Sequence, residues 1–408
     1  MKKRSLLFSA LMLAGVTNVH ALPYGFSDAR SVAMGNVSVA TGGVTTAAFS
    51  NPAMLMVNET DDTFALHIGV GAVFIEDGGI TDDIDEFQTI EDQIDSIVQN
   101  DPSNTTALLN ALNAQRTIIG DLNGDSLIGR GTPNVALVYG GDSFTVAVTA
   151  GGEAYASGAI DNVTGTTGTI LESDIQDDLN DNGILDDSLN VGYIPSADLK
   201  AVGVITQEVG VSIASNVTLL GMDVSFGIKP KVVSAEAITY RQAIDIVDVE
   251  DIIDDSTQDL GSFTTLDAGV AIGVTDSIRV GMVAKNLISE TLTVNTNGFN
   301  KDIDFDTQLR VGVSYNTSFM TVAADMDLIE TDPILVEDAN RMLALGVELN
   351  AFDFVQLRAG YQKNMASGAS SDDLISAGVG LWLGFNLDIA AVVSEDSVGA
   401  FVQTGFHF

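Results

Sequence analysis

Apolar and polar residues alternate along much of this chain. In TQLRVGVSY, Thr307, Leu309, Val311, Val313 and Tyr315 fall on one face, and Gln308, Arg310, Gly312 and Ser314 on the other. In VQLRAGYQ, Val355, Leu357, Ala359 and Tyr361 oppose Gln356, Arg358, Gly360 and Gln362. In LDAGVAIGV, Leu266, Ala268, Val270, Ile272 and Val274 oppose Asp267, Gly269, Ala271 and Gly273. A period of two belongs to a strand with one apolar face. About fourteen such segments are predicted, near 63–75, 131–140, 143–157, 200–214, 219–238, 263–274, 277–289, 305–315, 319–328, 341–350, 353–364, 373–384, 386–395 and 398–408. Most have the ~9–11 residues that cross a bilayer as tilted strands.

The connections alternate in length. GGDS (140–143), TDS (275–277), NTSF (316–319), NAFD (350–353) and the turn near Gly384 are short. Between them lie long acidic insertions at 76–130, 158–199, 239–262, 290–304 and 329–340. Short turns on one side and long loops on the other predict an all-β transmembrane antiparallel barrel of the outer-membrane type. An even strand number puts both termini on the short-turn, periplasmic side. The chain closes with FVQTGFHF, an alternating strand ending on Phe408. A secreted β-sandwich also alternates, but its turns are more evenly spaced. A barrel also leaves no sheet edge unpaired in lipid.

Composition narrows the setting. The 17 Lys and Arg stand against 56 Asp and Glu, a net charge of −39, yet 46% of residues are hydrophobic and mean hydropathy is +0.26. Disorder requires low hydrophobicity with such charge, so the apolar residues are organised. Nucleic acid and anionic membrane surfaces are poor partners for such a field. With no cysteine, disulfides, thiol chemistry and Cys-metal sites are excluded. Lys2, Lys3 and Arg4, the apolar run Ser5–Val16 and the Val19-His20-Ala21 site read as a signal peptide over 1–21, exported through the Sec pathway. No enzyme is expected. Beyond the signal only His67 and His407 remain, and no nucleophile motif surrounds any serine.

Several stretches are candidates for binding. Arg279, Lys285, Arg310 and Arg358 lie on the polar faces of their strands, and Lys229 and Lys231 share a face around Pro230. In a lumen they would meet a carboxylate ligand or pair with acids such as Asp223 and Asp267. Proline cannot donate to a ladder, so Pro230 marks a strand irregularity. DLNDNGILDD offers Asp178, Asn180, Asn182 and Asp186 at the spacing that opens a calcium loop, and DLNGDSLIG offers Asp121, Asn123 and Asp125. Neither has the closing Glu at position 12. A structural Ca²⁺ in these loops is therefore a candidate, and no other cofactor is implied. Ile84, Phe87, Ile90, Ile94 and Ile97, then Leu108, Leu109 and Leu112, lie on helical stripes either side of DPSN. They predict a helical hairpin outside the barrel mouth whose stripe is its packing face.

The stretch ARSVAMGNVSVATGGVTTAAFSNPAML, from Ala29 to Leu55, is small-residue-rich and almost uncharged. It resembles the N-terminal plug of the FadL family of outer-membrane channels for hydrophobic compounds. The matching residues are Ala29, Met34, Gly35, Val39, Ala40, Asn51, Pro52, Ala53 and Leu55. GMVAKNLI (281–288) and the final strand are also similar. A sub-branch named for the conjugal transfer protein TraF is closer, through the helical insertion and GVGLWLGFNLDIAA (378–391). The resemblance implies a plug over 22–60 inside a barrel over 61–408. It also implies a lateral gap for release, which Pro230 would mark. The implied function is passive uptake of hydrophobic small molecules such as long-chain fatty acids. The implied partners are outer-membrane lipid and lipopolysaccharide, the apolar cargo and the barrel-assembly machinery, with no nucleic acid. The alternative is an acidic surface protein, calcium-binding or associated with plasmid transfer, without transport.

Overall fold

The computed structural model describes residues 19–20, 24–57, 63–123, 125–141, 143–166, 170–182, 185, 194–245, 257–296, 298–332, 339–350, 354–367, 369, 373–395 and 397–408. The expected segments form a closed antiparallel barrel of fourteen strands. They are β1 Phe64–Asp77, β2 in two halves (Ser126–Gly131 and Asn134–Gly140), β3 Thr145–Thr164, β4 Ser196–Leu219 and β5 Met222–Ala243. Then come β6 Thr257–Gly273, β7 Ile278–Lys285, β8 Gln308–Asn316, β9 Met320–Asp327 and β10 Met342–Asn350. The last four are β11 Val355–Asn364, β12 Leu374–Trp382, β13 Asn386–Val393 and β14 Ser397–His407. Each strand pairs with its neighbours in sequence, and β14 closes on β1 from Ser397↔Ile75 to His407↔Ala65.

The alternation decides which face meets what. On β1, Phe64, Ile68, Val70 and Phe74 point outward and are exposed, while Ala65, His67 and Val73 are buried inside. From Phe64 to Phe74 the strand rises roughly 33 Å at about 3.3 Å per residue. A tilt of about 40° reduces that to roughly 25 Å, the height of an outer-membrane apolar band. Exposed Phe64, Tyr139, Phe144, Phe319, Phe354 and Trp382 ring the short-turn end, as an interfacial aromatic girdle does.

Two expectations about the long-loop end are corrected. The insertion placed at 158–199 begins later and ends earlier, because β3 and β4 run for 20 and 24 residues with the inward–outward alternation continuing. Residues 290–304, read as a loop, form a second β-hairpin, Glu290–Thr296 with Phe299–Phe305. This hairpin pairs with itself and forms no ladder with the barrel. Its Val294, Phe299, Ile303 and Phe305 pack against the inward side chains Ile128, Tyr155, Val202, Val204, Val233 and Phe263. It covers the inner face of β2–β6 in the upper lumen.

Two short helices, α1 Ala29–Ala33 and α2 Ala47–Ser50, lie inside the barrel. The longer helices gather outside the long-loop end. Helices α3 Ile80–Asn100, α4 Thr105–Asp121 and α5 Glu172–Asn182 bury Ile84, Phe87, Ile90, Ile94, Leu108, Leu112 and Ile175 together with Leu199, Tyr240 and Ile244 from the tops of β4 and β5. The apolar stripe is therefore a packing face.

Candidate functional site

Residues 24–57 lie inside the short-turn half of the barrel. Val32, Ala33, Met34, Val37, Val39, Ala40, Ala53 and Met54 are wholly buried there. Asp28 caps α1 by accepting from the Ser31 amide at 2.8 Å. The chain then turns sharply at Gly35 (φ 71) and Asn36 (φ 66). A side chain at Gly35 would meet the Leu345 and Tyr361 carbonyl oxygens at 2.6 Å, so only glycine fits. Asn51 caps the 3₁₀ turn Pro52–Met56, accepting from the Ala53 amide at 3.1 Å, and donates to the Val39 carbonyl at 2.8 Å. Pro52 starts that turn, and Ala53 is buried behind it.

The wall is shaped to receive this segment. A Cβ on Gly360 would lie 1.8 Å from the Gly35 nitrogen, on Gly346 2.3 Å from the Met34 oxygen, and on Gly281 2.5 Å from the Val39 oxygen. On Gly269 it would lie 1.9 Å from Asn51 Oδ1, and on Gly227 2.3 Å from the Pro52 carbonyl carbon. These glycines sit on β5, β6, β7, β10 and β11 and form a seat for the plug backbone. Asp325 clamps the segment by accepting from the Ser38 and Val39 amides at 2.7 and 2.9 Å. Ser376 Oγ accepts from the Gly35 amide at 2.9 Å, and Ser314 Oγ donates to the Ala40 carbonyl at 3.0 Å. The polar-face glycines were visible in the sequence. Their purpose was not, because it depends on which segment lies opposite.

Above the plug is a cavity of about 140 Å³. Phe26 and Phe49 of the plug, Phe305 of the luminal hairpin and Val233 of β5 give it apolar walls, and Glu208, Lys229, Lys231, Asp267 and Lys285 give it charge. Lys229 pairs closely with Glu208, and Lys231 bridges Glu208 at 2.8 Å and Asp267 at 3.0 Å. Stripping a carboxylate from such a buried pair would cost about 3–5 kcal/mol, which holds both lysines to their acids. Lys285 differs. Among the described residues no carboxylate lies within ion-pair distance of it, and its Nζ sits 4.1 Å from the centre of the Tyr24 ring. The Arg310 guanidinium lies 3.7 Å from that ring's centre and pairs with Asp327 at 2.9 Å.

The sequence-predicted basic residues thus separate. Lys229 and Lys231 reach the cavity. Arg310 sits against the plug. Arg358 is lower in the wall, bound to Glu348 at 2.7 Å and to Asp388 at 2.5 Å, with the plug's Arg30 on the same Glu348 at 2.9 Å. Arg279 lies beside the short turn that precedes β7, away from the cavity. Pro230 faces outward between the two lysines. The β4–β5 ladder lapses between Gly210↔Lys231 and Ile213↔Ile228 but resumes in the same register, and Pro230 still pairs with Leu266 on β6. The outer-wall sheet is thus uninterrupted in register at this point. Thr132–Pro133 divides β2 in the same way, beside the cavity.

Asp178, Asn180 and Asn182 fall within the range of α5. Asp186 lies outside the described residues. Among the described residues no group of three or more His, Asp or Glu side chains is placed to hold a metal ion. The signal-peptide reading also falls outside them, apart from residues 19–20.

Comparison with known proteins agrees with this architecture. A family model described as "F plasmid transfer operon, TraF, protein" matches residues 48–327, more than half of the chain. No curated protein matches. Among solved structures, a deltaS2S3 mutant of the monoaromatic hydrocarbon channel TodX superposes with a TM-score of 0.52 over 93% of this chain and 99% of its own, at 11% identity. The Ralstonia pickettii toluene transporter TbuX gives 0.50 over 96% and 99%, at 14% identity. A Pseudomonas aeruginosa FadL homologue gives 0.45 over 96% and 99%, at 11% identity. At these identities TodX and TbuX establish a shared fold, the FadL-type barrel.

Proposed function

This chain belongs to the TraF family of the F plasmid transfer operon, and we propose that it is an outer-membrane channel for passive uptake of hydrophobic small molecules. Long-chain fatty acids are the reference cargo. One observation carries the reading: a cavity between plug and hairpin combines phenylalanine side chains with Lys285, which among the described residues has no carboxylate within ion-pair distance. Such a site suits a compound with an apolar body and an anionic end. TodX and TbuX, which share the fold, are a hydrocarbon channel and a toluene transporter, and they support apolar cargo.

The size of the cavity sets its part in uptake. An apolar cavity of about 150 Å³ takes up a benzene-sized molecule, so 140 Å³ accommodates a ring or a head group with its first carbons. A longer chain extends upward past Phe305. Cargo arrives through the long-loop, extracellular end, rests in the cavity, and leaves after movement of the plug or of the wall near Pro230. No energy source or cofactor is part of the reading. Export by the Sec pathway and insertion by the barrel-assembly machinery complete the proposed route to the membrane.

Native mass spectrometry of the detergent-purified protein tests the proposal. It predicts a co-purifying apolar carboxylic compound that exchanges with added oleate. No ligand and no oleate binding, in protein shown to be folded, would favour the acidic surface protein instead.

A further inference from the structure

The upper lumen is lined by apolar side chains that have no reason to be apolar in a water-filled mouth. Val202 and Val204 on β4, Val233 on β5 and Phe263 on β6 point inward above the cavity, and each is buried. What buries them is the luminal hairpin, through Val294, Phe299, Ile303 and Phe305. Phe305 packs against Phe263 with the rings tilted and their centres 4.9 Å apart. The hairpin is held to the wall through side chains. Among the described residues Gln258 of β6 donates to the Thr293 carbonyl at 3.2 Å and accepts from the Asn295 amide at 2.8 Å, and Lys200 of β4 lies 4.8 Å from the centre of the Phe299 ring. The plug contrasts with this, for its backbone is locked into glycine notches and held by Asp325.

We propose that the apolar wall of the upper lumen is the binding site for the tail of an acyl-chain ligand, and that the 290–305 hairpin occupies it as a built-in competitor. Three observations carry this. The wall and the cavity are continuous, since Val233 and Phe305 belong to both. The hairpin turns an apolar face to the wall and a polar face away from it, where Thr291 and Thr293 donate to Asp304 and Asp302; only the apolar face is covered, so it lies on the wall as an apolar ligand would. Finally, a wall stripped of the hairpin would expose a contiguous apolar surface, which only another apolar group can cover favourably. An unbranched chain lying on Val202, Val204 and Phe263 would place its anionic end in the cavity by Lys285. The inference rests on the channel reading of that cavity.

Competition lowers apparent affinity by the fraction of molecules with the site vacant. Replacing residues 291–304 with a short Gly-Ser linker should therefore tighten oleate binding about tenfold or more, and leave octanoate, too short to reach the wall, nearly unchanged. The point variant Ile303→Asp, which undocks the hairpin without shortening the chain, should do the same. Binding is read by native mass spectrometry or isothermal titration in detergent, with the heat-dependent gel shift of a folded barrel as control. If oleate binds wild type but neither variant tightens it selectively over octanoate, the tail site is wrong and the channel reading stands. If neither oleate nor octanoate binds folded wild type or either variant, both fall.

Discussion

The Gly35 amide of the plug rests directly on Gly360 of β11, so closely that a methyl group on Gly360 would sit 1.8 Å from the Gly35 nitrogen. The neighbour is backbone and cannot turn aside. Gly360→Ala should therefore displace the plug or the strand, and overpacking of this kind costs about 1–3 kcal/mol. Because the protein has no cysteine, a single Ser38→Cys reporter reads the outcome cleanly. Maleimide labelling of this buried position should be negligible when Gly360 is intact and rapid when the Gly360→Ala substitution is added. Equal protection in both would show that the glycine seat does not hold the plug.

Glu91 gives the outer helices a pH dependence. Burial between α3 and α4 raises its carboxyl above the usual carboxylate range; the Gln115 amide, which donates to it, partly offsets this, and nearby Asp95, Asp245 and Asp92 add to it. A raised acid binds its proton more tightly when folded than when unfolded. Its contribution to stability is thus greatest below the ordinary Glu value of about 4.3 and is lost as pH rises through the folded value. Glu91→Gln keeps an acceptor for Gln115 and removes the charge. It should raise the melting temperature of the helical signal at pH 7 and flatten its gain between pH 7 and pH 5. An unchanged pH profile by circular dichroism would contradict this.

Trp382 is the single tryptophan, and it lies exposed at the end of β12 beside His407, with ring centres 6.3 Å apart. The aromatic girdle places it at the lipid interface of the short-turn side. In reconstituted bilayers, lipids brominated near the head group should quench its fluorescence more than lipids brominated near the chain end. The reverse order would misplace the belt.

Much of this was legible in the sequence, and the remainder was hidden for physical reasons. Outward rows such as Val311, Val313 and Tyr315 alternate strictly because lipid tolerates no polar side chain, so strands and barrel could be read directly. The turn at Gly35 and the Asn51-Pro52 start of a turn are local chemistry, and local chemistry is visible in a linear motif. The glycine seat is not local: Gly227, Gly269, Gly281, Gly346 and Gly360 are spread over five strands and acquire meaning only opposite the plug. The luminal hairpin carried a missed signal, Asn297-Gly298 between alternating Leu292, Val294 and Phe299, Ile303, Phe305. Loop acidity obscured it. Lys285 could not be told from Lys229 and Lys231, since ion pairing depends on Glu208 and Asp267 from neighbouring strands.

The most direct test of the account compares oleate with methyl oleate on wild type and Lys285→Met. The account makes Lys285 the partner of the anionic end. A charge-assisted hydrogen bond contributes about 1.5–3 kcal/mol, so the variant should bind oleate roughly tenfold or more weakly and bind methyl oleate as wild type does. Equal loss for both ligands, or no loss for oleate, would contradict it.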